Sequence, residues 1–112
     1  MIRLTVLYNL PPDDDENEFL QWRLGPHQAS NLRMRGVLQS DFAITREAWP
    51  EGTTPPYRFM TTAEWPDWDS FRKGFYDPEA QAKLKEDVKR IRDYVFLVSE
   101  ILASGRADNP DA

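Results

Sequence analysis

Strand, helix, strand, and then strand, helix, strand again: the hydrophobic patterning of this chain runs through one unit twice within 112 residues. A chain of that length forms one domain. Two such units side by side make a four-stranded sheet with both helices over one face, which leaves the opposite face without a cover. The last strand, Tyr94-Val95-Phe96-Leu97-Val98, is apolar on both of its faces. An edge strand of that kind left bare to water invites uncontrolled pairing, so the pattern predicts a second copy against the bare side.

The individual elements follow from local signals. Ile2, Leu4, Val6 and Tyr8 alternate with Arg3, Thr5, Leu7 and Asn9, the period of a strand. Leu10-Pro11-Pro12 stops it, and the acids Asp13 to Glu16 supply a cap and negative charge for a helix start. Phe19, Trp22 and Arg23 fall at helical spacing, and Gly25-Pro26 is expected to interrupt the helix, since proline has no amide proton. A short helical piece from His27 to about Met34 follows, ended by Gly36. Leu38 to Thr45 alternates as the second strand, the Pro- and Gly-rich run 49–56 reads as an exposed loop, and Tyr57 to Glu64 is the third strand. Pro66-Asp67 opens the next helix, with Trp68, Phe71 and Phe75 on one side. Asp77-Pro78-Glu79 restarts it as an N-cap, a first-turn proline and an acid. Beyond that restart Ala80, Leu84, Val88 and Ile91 form an apolar stripe, and Glu79/Lys83 and Glu86/Arg90 lie four apart on the outer side. The fourth strand spans Tyr94 to about Leu102, and 103–112 reads as a polar, disordered tail.

The order βαββαβ with short connections predicts an α+β, ferredoxin-like sandwich: a four-stranded antiparallel sheet with helices on one face, parallel neighbours being joined by right-handed crossovers. The predicted partner is a second copy, sheet face against sheet face, making a dimeric α+β barrel.

Composition removes several classes of function. A net charge of −5 and no long basic run argue against nucleic acid and against anionic membranes. With no cysteine there are no disulfides, thiolate nucleophiles or zinc–sulfur sites. One histidine and acids gathered at helix starts give metal binding little support. The five glycines form no phosphate loop, no nicotinamide or flavin motif is present, and no serine–histidine motif supports a hydrolase triad. The reading is therefore of a protein without a cofactor. Strand patterning from residue 2 predicts no signal peptide, and no apolar run reaches bilayer length, so the expected location is cytoplasmic.

In order and spacing the chain resembles the EthD-like family of the dimeric α+β barrel superfamily along residues 1–102. The resemblance rests on the opening Ile2-Arg3-Leu4-Thr5-Val6-Leu7-Tyr8, Trp22 and His27 toward the end of the first helix, and Tyr57-Arg58-Phe59. It continues through the Phe-containing second helix with Asp77-Pro78-Glu79 and Gln81, and closes on Val95-Phe96-Leu97-Val98-Ser99-Glu100. In Trp22-Arg23-Leu24-Gly25-Pro26-His27 the histidine follows the small and proline residues, whereas in the commoner family pattern it precedes them. The chain also resembles RedY-like members tied to pigment biosynthesis. The resemblance implies a homodimer with a pocket between each sheet and its helices. It also implies a role in ether or aromatic breakdown or in tailoring polyketide-type products, through cofactor-free isomerase, cyclase or monooxygenase chemistry.

His27 is the one histidine, so histidine-based proton transfer must use it, and its ordinary pKa near 6.5 suits a general base. The structural alternative is a histidine that hydrogen-bonds a loop at a helix end. Tyr8 ends the inward face of the first strand, where its phenol is placed either to hold a substrate carbonyl or enolate or to finish the core. Arg23 is either a carboxylate clamp or an exposed helix arginine. Asp41 is a possible orienting carboxylate for an imidazole, but strand alternation turns it away from Phe42 and Ile44. Trp22, Phe42, Phe59, Trp65, Phe71, Phe75 and Tyr76 supply apolar walls for a small aromatic or polyketide-like ligand. The functions in play are a small acid–base enzyme, a non-catalytic binder of the same compounds, and a structural dimer whose aromatic residues are all core and interface.

Overall fold

The computed structural model describes residues 1–108, and the last four positions of the predicted tail, 109–112, lie outside them. The described elements are strand β1 (Ile2–Asn9), helix α1 (Glu16–Trp22), a π-helical turn (Arg23–His27), helix α2 (Gln28–Leu32), strands β2 (Gln39–Ile44) and β3 (Phe59–Trp65), helices α3 (Trp68–Phe75) and α4 (Pro78–Asp87), a 3₁₀ turn (Val88–Arg90) and strand β4 (Arg92–Glu100). Residues 101–108 are in neither helix nor strand.

The four strands form one sheet in the order β2-β3-β1-β4, the ferredoxin-like arrangement. The strands of each crossover run parallel but are not neighbours, a correction to the sequence reading. β3 lies between β1 and β2, and β1 between β3 and β4, so every hydrogen-bonded pair is antiparallel. Register sorts the side chains into two unlike faces, since successive residues of a strand alternate sides. The inner rows are Phe42–Thr61–Val6–Phe96 and Ser40–Ala63–Leu4–Val98, with Phe59 opposite Tyr8 at one end and Trp65 opposite Ile2 at the other. Ile2, Leu4, Val6, Tyr8, Phe59, Ala63 and Trp65 are buried there against Phe19 of α1 and Phe71 and Phe75 of α3. The outer rows run Ala43–Met60–Leu7–Val95, then Asp41–Thr62–Thr5–Leu97, then Gln39–Glu64–Arg3–Ser99. They grade from apolar to charged, and no helix covers them.

Caps explain where the helices begin. Asp15 accepts from the amides of Asn17 and Glu18, Asp67 from Ser70, and Asp77 from Ala80. The helix does not break at Gly25-Pro26. It continues through a π-helical turn, in which the Gln28 amide donates to the Arg23 carbonyl, five residues back. A wider turn accommodates a proline that has no amide to give, and π turns of this kind recur at functional sites.

Gly74 sets how closely α3 approaches the 33–38 segment. A Cβ there would stand 2.2 Å from the Arg35 carbonyl oxygen and 2.9 Å from Trp65 Nε1, the two groups that hydrogen-bond each other at 3.0 Å. Gly74→Ala is therefore expected to destabilise the domain by about 2–4 kcal/mol and to lower its melting temperature by roughly 10–20 °C. Differential scanning calorimetry checks this, and an unchanged melting temperature would mean that helix and loop separate at little cost.

A candidate active site between the sheet and helix α4

Helix α4 contains no buried residue, although it carries the apolar stripe expected of a core helix. The reason is a cavity of about 570 Å³ between it and the inner face of the sheet. Ala80, Leu84, Val88 and Ile91, the whole predicted stripe, line this cavity, with Leu84 and Ile91 only partly buried against the core. The sheet supplies Leu4, Val6, Tyr8, Thr61, Ala63, Trp65 and Phe96, and the α1–α2 region supplies Trp22, Arg23 and His27. Its size falls within the range of small-molecule sites, roughly 300–1,000 Å³.

The polar groups of the floor form one chain. Tyr8 Oη lies 3.0 Å from Thr61 Oγ1, and Arg23 Nη2 donates to that same Oγ1 at 3.0 Å. Arg23 Nη1 donates to Gln28 Oε1 at 2.7 Å, and Gln28 Nε2 donates to the Ser40 carbonyl at 3.0 Å. A hydroxyl carries one proton and two lone pairs. When Thr61 accepts from Arg23 and gives its own proton to Tyr8, the phenol proton is free for a ligand. The Arg23 guanidinium also stacks over the Phe42 ring, 4.4 Å from its centroid. Arg23 is 1% exposed, so of its two readings the exposed helix arginine is set aside.

His27 closes the π turn begun by Arg23 and stands in the cavity wall against Trp22, ring centroids 4.3 Å apart. The Arg90 guanidinium covers the same indole at 4.3 Å. His27 Nδ1 is buried without a hydrogen bond, and Asp87 Oδ2 of α4 lies 3.6 Å from it. Burial pushes the imidazole down to about 4, helped by the positive charges of Arg23, Lys83 and Arg90. The ring is thus neutral at pH 7, and its contact with Asp87 is dipolar rather than an ion pair. Burial also raises the Asp87 carboxyl above its usual range, against the lowering pull of Lys83 and Arg90.

This has a measurable consequence. Between the unfolded value of 6.5 and the folded value of about 4, the unfolded chain binds a proton at His27 that the folded chain does not. Stability therefore rises with pH through that window and falls on acidification, by no more than about 2 kcal/mol once partial solvent screening is allowed for. The raised Asp87 value contributes a smaller slope of opposite sign. Urea titrations of wild type and His27→Gln at pH 6.5 and 4.5 are expected to show the loss in wild type and its reduction in the variant. Equal losses would assign the acid sensitivity elsewhere.

Of the residues singled out in the sequence, Tyr8, Trp22, Arg23, His27, Trp65 and Phe75 line the cavity. Phe42, Phe59 and Phe71 do not. Phe59 and Phe71 are fully buried core, and Phe42 packs on Phe59 behind Arg23. Tyr76 lies on the surface, 46% exposed beneath Arg72. Asp41 is exposed on the outer face, as alternation predicted. The carboxylate beside the imidazole is Asp87, which sequence reading missed although it lies three residues after Leu84 and borders the apolar stripe. Thr61 was likewise legible as a polar residue between the inward-facing Phe59 and Ala63. Nothing in the sequence marked Gln28. Lys83, read as the partner of Glu79 on a solvated surface, instead hydrogen-bonds Ser30 of α2 across the cavity mouth, and Glu86 pairs with Lys89. Among the described residues no group of three or more histidine or acidic side chains is placed to hold a metal ion, and no helix is long and apolar enough to cross a membrane.

No protein-family model and no curated protein matches the sequence. Solved structures do match in fold. An EthD (ethyl tert-butyl ether D) family protein from Bacillus halodurans superposes with a TM-score of 0.74 at 18% identity, over 91% of this chain and 99% of that one. A dimeric ferredoxin-like protein of unknown function from Thermobifida fusca gives 0.65 at 16% identity, over 89% and 90%. SnoaB, a cofactor-independent oxygenase from Streptomyces nogalater, gives 0.67 at 13% identity, over 92% and 94%. At these identities the shared property is the fold, and it is the one that the EthD-like resemblance implied.

Proposed function

We propose that this chain is an EthD-like, cofactor-free enzyme that moves a proton on an aromatic or polyketide-like carbonyl compound held between the sheet and α4. The observation that carries the proposal is the convergence, in the wall and floor of one aromatic cavity, of a neutral imidazole and a phenol. With Nδ1–H turned toward Asp87, His27 Nε2 keeps a lone pair for the reacting C–H. The base takes that proton, the C–H electron pair becomes the new C=C bond, and the carbonyl π pair moves onto oxygen. Tyr8, its own oxygen accepting from Thr61, donates to the enolate oxygen that forms. Isomerisation, cyclisation and oxygen addition all begin from such an enolate, and a fold shared with a cofactor-independent oxygenase is consistent with that start. The pathway we assign is secondary metabolism or aromatic and ether degradation.

The working unit in this proposal is a homodimer through the outer sheet faces. Leu7, Met60, Val95 and Leu97 form an apolar patch there, and Leu97 remains 49% exposed in the single chain. Glu64, although on this face, is already paired with Arg3 at 3.5 Å and hydrogen-bonded by Gln39, whose amide donates to it at 2.6 Å. It can therefore be covered by a second copy without stranding a charge.

The test uses 2-tetralone, a bicyclic aromatic ketone with exchangeable α protons, in deuterated buffer at pH 7. The protein is expected to quench its tryptophan fluorescence on binding the ketone and to exchange the α protons faster than buffer alone, followed by proton NMR. Quenching without exchange would overturn the enzyme and leave a binding protein for such compounds, and neither effect would leave the structural dimer.

A further inference from the structure

The floor of the cavity holds a cation with no counter-ion. Arg23 is 1% exposed, and its guanidinium contacts are all neutral: the Gln28 amide oxygen, the Thr61 hydroxyl and the face of Phe42. Among the described residues the ion pairs are Arg3–Glu64, Arg58–Glu16, Lys73–Asp69 and Lys89–Glu86, and none includes Arg23; Asp87 lies against the neutral His27 ring instead. Buried arginines are ordinarily paired, because an uncompensated charge out of water costs several kcal/mol. A guanidinium has five N–H donors in a rigid fork suited to a carboxylate, and Arg23 commits two of its nitrogens to neutral acceptors. The remaining donors belong to a side chain that borders the cavity with 1% of its surface exposed, so they lie at its floor rather than projecting into it.

We propose that the ligand of this cavity is an aromatic carboxylic acid whose carboxylate serves as the missing counter-ion of Arg23, its ring lying between Trp22, Phe75 and Phe96. The proposal rests on the reading of the cavity as the functional site and adds the substrate class. It also couples binding to reactivity. His27 is faced by Arg23 from its own turn, by Lys83 and Asp87 from α4 and by Arg90 from the turn after α4. An anion on Arg23 cancels one of the three positive charges, so bound substrate strengthens the base that is to act on it.

The test compares two probes of nearly the same shape, 2-naphthoate and 2-naphthamide, by isothermal titration calorimetry on the full chain at pH 7. Wild type is expected to bind the carboxylate about 10- to 100-fold more tightly than the amide. In Arg23→Met the preference collapses toward unity, with 2-naphthamide affinity held within about threefold as the sign of an intact cavity. A readout free of any variant is the imidazole titration of wild type by NMR, in which 2-naphthoate moves His27 upward from about 4 and 2-naphthamide does not. Equal affinity of wild type for the two probes overturns the carboxylate assignment while leaving the cavity as the site. A preference retained in Arg23→Met overturns Arg23 as its source. Binding of neither probe removes both this inference and the functional reading beneath it.

Discussion

A protein with alanine at position 27 is expected to bind 2-tetralone within about threefold of wild type yet exchange its α protons about 10²–10⁴-fold more slowly, the usual contribution of a positioned base. Binding survives because the walls come mainly from Phe75, Phe96 and the helix stripe, and Trp22, which loses its contact with the imidazole, keeps the Arg90 guanidinium over its ring. The fold survives as well, since the substitution removes a side chain whose Nδ1 is buried without a hydrogen bond. The pH profile of wild type separates proton transfer by His27 from a structural role. Because the ring titrates near 4, exchange should be nearly level from pH 8 to pH 5 and fall only below that, once the imidazole takes up a proton. An exposed histidine with its ordinary value would already lose half its activity at pH 6.5. A variant that keeps the wild-type rate would show that the proton goes elsewhere, and the binding-protein reading would take its place.

Wild type is expected to run as a dimer in light scattering at micromolar concentration, and Leu97→Glu as a monomer. Leu97 lies in the Asp41–Thr62–Thr5–Leu97 row, beside the Met60–Leu7–Val95 row of apolar side chains. Two copies pairing these faces about a two-fold axis repeat every contact, so one substitution places two unpaired carboxylates in the interface. A desolvated charge without a partner costs several kcal/mol. The dissociation constant should therefore rise at least about 100-fold. The variant should remain folded, since residue 97 is half exposed in the single chain and contributes little to its core. A wild type that is monomeric, or a Leu97→Glu variant that stays dimeric, would move the partner surface away from the sheet.

Much of this architecture was readable in order. Alternation assigned Ile2, Leu4, Val6 and Tyr8 to one face and Arg3, Thr5 and Leu7 to the other, because a strand admits only two directions for a side chain. Asp15, Asp67 and Asp77 marked helix starts, because unpaired amides at a helix end require an acceptor and these residues carry one. The repeated strand–helix–strand unit put both helices on one side of the sheet, and the two-faced apolar character of the last strand marked the other side as one needing a cover.

What periodicity cannot express is depth and distance. The stripe Ala80, Leu84, Val88 and Ile91 has the same spacing whether it meets a core or a void, so the cavity under α4 was invisible until the helix was placed. Phe59 and Phe71 were as aromatic as Trp22 and Phe75, yet the first two fill the interior and the others face the cavity. Gly25-Pro26 read as a break, whereas the chain passes through it in a π turn, with Leu24, Gly25 and Pro26 exposed, that places Arg23 in the floor and His27 in the wall. Asp87 is 60 residues from His27 along the chain, and only the return of α4 over the sheet sets it 3.6 Å from the imidazole. The sequence alone determined the elements, their order and the face each strand presents, because those depend on neighbours a few residues away. The void, the unpaired guanidinium and the displaced imidazole pKa depend on groups far apart in the chain, and only the tertiary structure decided them.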